Sequence, residues 1–233
     1  MTSSSLWDIF CKVVDNYGDI GVCWRLAADL ASRGQQVRLW IDESSALAWM
    51  APGALEGRWP GIEVRAWEAL HHSAALAALA PADVWIEGFG CDAPIELQQH
   101  RFQPDQANAK NSGPVWINLE YLTAEGFSQR NHGLPSPRMQ GPARGHTRFF
   151  FYPGFSSATG GLLREPGLTE RQAVFDRSGW LAQQGIAWQG EQLVSLFCYE
   201  PAALANLLEH LRWTPGRRSC WSPMAGQRRR CGA

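Results

Sequence analysis

The chain has 233 residues, 45% hydrophobic and 18% charged, with a formal net charge of −1, enough apolar material for one good core or for one domain and part of another. No apolar run approaches the length that spans a bilayer, and the start Met-Thr-Ser-Ser-Ser has neither the basic nor the apolar region of a leader peptide, so a cytoplasmic chain with no membrane partner is expected. Six cysteines at 11, 23, 91, 198, 220 and 231 form no C-x-x-C pair, which argues against a zinc site or a disulfide framework and for buried free thiols.

The first element is an apolar run, Phe10 to Val14, rich in β-branched and aromatic residues as a buried strand should be. It stops at Asp15-Asn-Tyr-Gly-Asp19-Ile-Gly21, two carboxylates four residues apart around a glycine turn. A helix follows from Val22, with Leu26 and Leu30 on its apolar face and Gly34 placed as its C-terminal cap. Strand, glycine turn and helix open a doubly wound α/β domain, whose ligands bind outside the carboxyl ends of the strands, where Asp15 and Asp19 fall. Two fixed negative charges would repel a phosphate, so the turn suits a cation or a proton transfer better than a nucleotide phosphate. The plainer alternative is that Asp19 caps the helix and Asp15 is a turn residue.

Alternation continues downstream. Strands are predicted at Gln36–Asp42, Ile62–Trp67, Ala82–Gly88 and Pro114–Glu120, and helices at Ser44–Met50 and Ser73–Leu79. The pattern favours a parallel sheet covered on both faces. His71-His72 precedes the second of these helices and is expected to be a solvated pair rather than a metal ligand. Residues 103–113 read as a loop, and the Pro/Gly-rich segment Gly133–Gly145 as a mobile surface loop without regular structure.

Several motifs in register resemble the EarP family: Asp15-Asn-Tyr-Gly-Asp19-Ile-Gly-Val-x-Trp-Arg, Ile86-Glu-Gly-Phe-Gly-Cys, Asn118-Leu-Glu-Tyr-Leu-Thr, Gly133-Leu-Pro-Ser-Pro, Phe149-Phe-Phe-Tyr-Pro-Gly-Phe and Thr159-Gly-Gly-Leu-Leu-Arg-Glu165. The resemblance spans about residue 6 to residue 213. It implies a GT-B glycosyltransferase, two Rossmann-like domains facing across a cleft, that moves rhamnose from dTDP-β-L-rhamnose to one arginine of translation elongation factor P with inversion. It implies further that Asp15 and Asp19 are the catalytic carboxylates, with Asp19 as general base, and that no metal or other cofactor is needed. The chemistry suits such a pair. A guanidinium keeps its proton at physiological pH, its pKa being above about 12, and is a poor nucleophile until carboxylates hold it and accept a proton as the C–N bond forms.

The resemblance places an N-terminal acceptor-binding domain at residues 1–178. The start of a nucleotide-sugar-binding domain follows at 179–213, where Phe197 and Tyr199 at the end of a strand over 193–200 match donor-lining positions, and Pro201–Leu211 forms an amphipathic helix. Members of the family continue with a G-E-D-S-F-V-R-A-Q segment that this sequence lacks. Residues 214–233 hold five arginines and no acid, whereas residues 1–213 hold 16 basic and 22 acidic groups. Such a tail reads either as a nucleic-acid arm or as an out-of-frame product. Reading one base earlier, with a TCN codon for Ser222, turns Trp221-Ser222 into Leu-Val with a glycine three residues later, a strand entering a turn. The out-of-frame reading is preferred, with no nucleic-acid partner. It carries the expectation of a truncated second domain, loose packing beyond about residue 180 and impaired transfer. Two rivals are a fragment that binds elongation factor P without modifying it and a nucleotide-binding enzyme using the glycine turn for phosphate.

Overall fold

The computed structural model describes residues 4–14, 17–102, 113–191, 193–194 and 201–213. The chain divides into two compact units, residues 1–168 and 169–233.

The first unit is built on a seven-stranded sheet. Its strands are β1 (Leu6–Cys11), β2 (Gln36–Ile41), β3 (Ile62–Ala66), β4 (Val84–Gly88), β5 (Val115–Leu119), β6 (Pro135–Pro137) and β7 (Thr147–Phe151), in the order β3-β2-β1-β4-β5-β7-β6. All pairs are parallel except β6 with β7. Because β1 lies between β2 and β4, the crossovers leave it in opposite directions and open a crevice at its carboxyl end. The turn after β1 and the turn after β4 border that crevice.

Two differences from expectation sharpen this picture. The first strand is Leu6–Cys11, earlier than the predicted 10–14, because its ladder to β2 runs from Leu6 opposite Gln36 to Cys11 opposite Ile41 and then ends. The helix α1 starts at Gly18, four residues before Val22, and runs to Ser32, so that Asp19 belongs to its first turn. Gly34, at φ +82°, donates to the Ala31 carbonyl and closes the helix as expected.

One face of the sheet presents Ile9, Cys11, Leu39, Ile41 and Ile86 to Ile20, Cys23, Trp24 and Ala27 of α1. The other presents Phe10, Trp40, Trp85 and Trp116, and packs against a 3-10 turn (Trp67–His71), α3 (Ser73–Ala77) and α4 (Ile95–Arg101). Phe10–Trp85 and Trp85–Trp116 meet edge to face at 5.5 Å, the arrangement aromatic quadrupoles prefer. The short helix α2 (Ser45–Met50) follows β2. His71 is half exposed, as expected of a solvated residue, but its Nδ1 lies 3.1 Å from Glu96 of α4.

The segment 133–145 corrects an expectation. It holds the edge strand β6 and a hydrogen-bonded turn, with Arg138 N–H donating to the His146 carbonyl at 2.8 Å and Gly145 N–H to the Arg138 carbonyl at 3.0 Å. Prolines are tolerated here because β6 is an outermost strand, where a missing N–H costs no ladder bond. Between β5 and β6 lies α5 (Gly126–Asn131).

α6 (Leu168–Ala173) crosses the boundary between the units. The second unit holds α7 (Arg177–Gln183), capped by the Asp176 carboxylate accepting from Gly179 N–H at 2.9 Å, and α8 (Leu204–Trp213), which carries the predicted amphipathic pattern. Most of the strand predicted over 193–200 lies outside the described residues; Leu193 and Val194 are exposed. Among the described residues no helix is long and apolar enough to cross a membrane.

Candidate functional site

The crevice at the carboxyl edge of the sheet gathers the turn after β1, the first turn of α1, the turn after β4 and the residues after β5. Asp19, in the first turn of α1, is the buried acid at this edge. It is 1% exposed, yet its carboxylate is supplied with donors: Oδ2 accepts the Val14 N–H at 3.0 Å and Oδ1 accepts the Tyr121 hydroxyl at 3.1 Å. Its place in the first turn of α1 sets the negative charge against the positive end of the helix dipole. It is not the cap, since Tyr17 occupies that position and Asp19 reaches back to the loop that leaves β1. That loop is pinned again one residue earlier, where Val13 N–H donates to Asp42 Oδ1 at 2.9 Å.

The turn after β4 supplies the opposite wall. Phe89 is the one non-glycine among the described residues at positive φ, +57°. The strain is held by neighbours on both sides. Phe89 N–H donates to the Leu119 carbonyl at 2.7 Å, and the Phe89 ring stacks on Tyr121 with centroids 4.4 Å apart and planes within 20°. Below it Glu87 is fully buried, its carboxylate accepting Ala93 N–H and an Arg148 N–H, each at 2.7 Å, while the same Arg148 nitrogen reaches Asp92 at 2.7 Å. Burial pushes the Glu87 carboxyl above its ordinary value, against the Ala93 and Arg148 hydrogen bonds that favour its charge. Glu87 thus anchors both ends of the turn that carries Phe89.

Near the end of β5, Asn118 Nδ2 donates to Glu120 Oε1 at 2.6 Å, and Glu120 N–H extends the ladder to the Phe151 carbonyl. The segment after β7 folds back so that Gly160 N–H meets the Tyr152 carbonyl at 2.8 Å, and Glu165 forms a two-point ion pair with Arg25 of α1 at 2.5 and 3.0 Å. Arg25 and Glu165 belong to two separate motifs of the sequence, and the fold joins them.

Of the residues singled out from sequence, Asp19 lies buried in the first turn of α1, beyond the carboxyl end of β1. Asp15, Phe197 and Tyr199 lie outside the described residues. The motifs contain Tyr121 and Phe89 without marking either as functional; their signal is an aromatic within two residues of the ends of β4 and β5. Cys11, Cys23 and Cys91 are buried free thiols as expected, and Cys198, Cys220 and Cys231 lie outside the described residues. A hydrogen bond with Cys11, then burial, raises the Cys23 thiol well above its usual value, and burial pushes Cys91 up to about 12, which keeps both protonated and unreactive. Among the described residues no group of three His, Cys, Asp or Glu could hold a metal.

A family model described as elongation-factor P (EF-P) rhamnosyltransferase EarP matches residues 7–227. A protein-arginine rhamnosyltransferase of Pseudomonas aeruginosa is 47% identical over 222 residues, 88% of this chain and 54% of that protein. One from Pseudomonas putida is 44% identical over 219 residues, 88% and 53% of the two chains, and one from Shewanella oneidensis 33% identical over 226 residues, 89% and 53%. The chain spans about half the length of these relatives.

Proposed function

The chain belongs to the EarP family, and from that premise we propose that its first unit is the acceptor-binding half of a cytoplasmic, inverting GT-B enzyme that transfers rhamnose from dTDP-β-L-rhamnose to an arginine side chain of elongation factor P. The observation that carries this reading is the Asp19 carboxylate, held at the switch point of a doubly wound sheet with the Val14 N–H and the Tyr121 hydroxyl among its donors. An arginine must lose a proton as it becomes a nucleophile, and a fixed carboxylate at a crevice is the simplest group to take it.

In this proposal Asp15 and Asp19 hold the planar guanidinium by charge-assisted hydrogen bonds and aim one terminal nitrogen at the anomeric carbon. The C–N bond forms as the bond from that carbon to the phosphate oxygen breaks, the electron pair leaving on dTDP. The proton displaced from nitrogen passes to Asp19, and the product guanidinium keeps its positive charge. Phe197 and Tyr199 are assigned to the donor, with the nucleoside diphosphate as leaving group. No metal or further cofactor takes part in the scheme.

Titration calorimetry of the chain with unmodified elongation factor P and, separately, with dTDP-β-L-rhamnose tests it. Binding of the protein partner, lost in the Asp15→Ala, Asp19→Ala variant, is the expected result. Binding of both ligands, followed by a deoxyhexose on the partner by mass spectrometry, extends the reading to transfer by this chain. Partner binding without transfer restricts this chain to capture, and a variant that binds nucleotide better but partner equally well would point instead to a phosphate-binding turn.

A further inference from the structure

Tyr121 follows β5 and Asp19 opens α1, 102 positions apart in sequence, and the two meet through a hydrogen bond of 3.1 Å. Tyr121 is 51% exposed. A half-exposed tyrosine at the end of a strand ordinarily turns its hydroxyl to water, where it loses no bond and keeps its rotamer freedom. Here the ring is fixed by stacking on Phe89, and Phe89 holds a backbone conformation that few side chains adopt. That conformation has a structural use. It directs the Phe89 ring against Tyr121 instead of along the sheet, while Gly88 before it allows close approach to the Phe10 carbonyl and the Cys23 sulfur, at 3.1 and 3.0 Å from where a side-chain carbon would stand.

We infer that Tyr121 is a positioning residue for Asp19. It sets the rotation of the carboxylate by donating to Oδ1 while Val14 N–H holds Oδ2, and Phe89 is the strut that keeps Tyr121 in place. The inference rests on the proposed role of Asp19 toward the acceptor arginine. Two donors on different oxygens define the carboxylate plane, and a planar guanidinium accepts only a narrow range of that plane for a two-point contact.

The test is a double-mutant cycle on the full chain, read as affinity for unmodified elongation factor P by calorimetry. Tyr121→Phe keeps the ring and its stack but removes the hydroxyl, and is expected to weaken binding about tenfold with an unchanged melting temperature. On an Asp19→Ala background the same change is expected to do nothing, because the group it positions is gone. Asp19→Asn repeats the cycle without opening a cavity. If Tyr121→Phe weakens binding equally in both backgrounds, or leaves it unchanged where Asp19→Ala weakens it, Tyr121 does not act through Asp19 and the inference falls while the function stands. If the unaltered chain does not bind the partner, or Asp19→Ala binds as well as it does, the functional reading falls and the inference with it.

Discussion

Asp8 and Arg38 face each other across the β1–β2 ladder and form a two-point ion pair, Nε to Oδ1 and Nη2 to Oδ2, both at 2.7 Å, inside the protein. Trp40 Nε1 donates to the same carboxylate at 2.8 Å, and the remaining Arg38 nitrogen donates to the Ala80 carbonyl at 2.9 Å. The pair sits toward the amino end of the sheet, away from the crevice, so its role is architectural. Removing one partner strands the other charge in the core, and Asp8→Ala is expected to cost about 3–5 kcal/mol by urea denaturation. A loss below about 1 kcal/mol would mean that water reaches Arg38 once the carboxylate is gone.

Glu87 predicts a dependence on pH. Its carboxyl is raised by burial, so the folded chain holds that proton more tightly than the unfolded chain. The stability it contributes is therefore fully present below the unfolded carboxyl pKa of about 4.3 and is lost as pH rises through the higher folded value. Glu87→Gln cannot ionise. Its stability relative to the unaltered chain is expected to climb from pH 4 toward neutrality in urea titrations, and a flat or falling difference would show that pairing with Arg148 outweighs burial.

Gly160 is a close-packing position. A side-chain carbon there would overlap the Phe151 ring, and the Gly160 N–H is committed to the Tyr152 carbonyl. Gly160→Ala is expected to destabilise the chain by about 1–3 kcal/mol in thermal melts, since either the ring or the loop must move. The sign would reverse only if Phe151 swung outward without loss of contact.

The donor and acceptor roles separate by substitution. Paired Phe197→Ala and Tyr199→Ala changes are expected to leave calorimetric binding of elongation factor P unaltered and to abolish any binding of dTDP-β-L-rhamnose. The Asp15→Ala, Asp19→Ala pair is expected to do the reverse. Loss of both ligands in either variant would argue for one shared site rather than two.

Much of the sheet was legible because period and composition were strong. The runs at 36–42, 62–67, 82–88 and 114–120 are apolar, β-branched and bounded by turn residues, and each became a parallel strand. Pro135–Pro137 was not, because a proline-rich segment reads as a loop unless one knows that it lies at an edge. The helix α4 was missed too, its seven residues being too few to show a clear period.

By itself the sequence determined the doubly wound order of elements, the family, and an acid at the carboxyl end of the first strand, because these follow from local periodicity and from motifs contiguous along the chain. Only the tertiary structure decided what that acid touches. Whether Asp19 caps its helix or reaches a tyrosine 102 residues away depends on how β1, β4 and β5 lie side by side, a non-local arrangement that no spacing along the chain encodes.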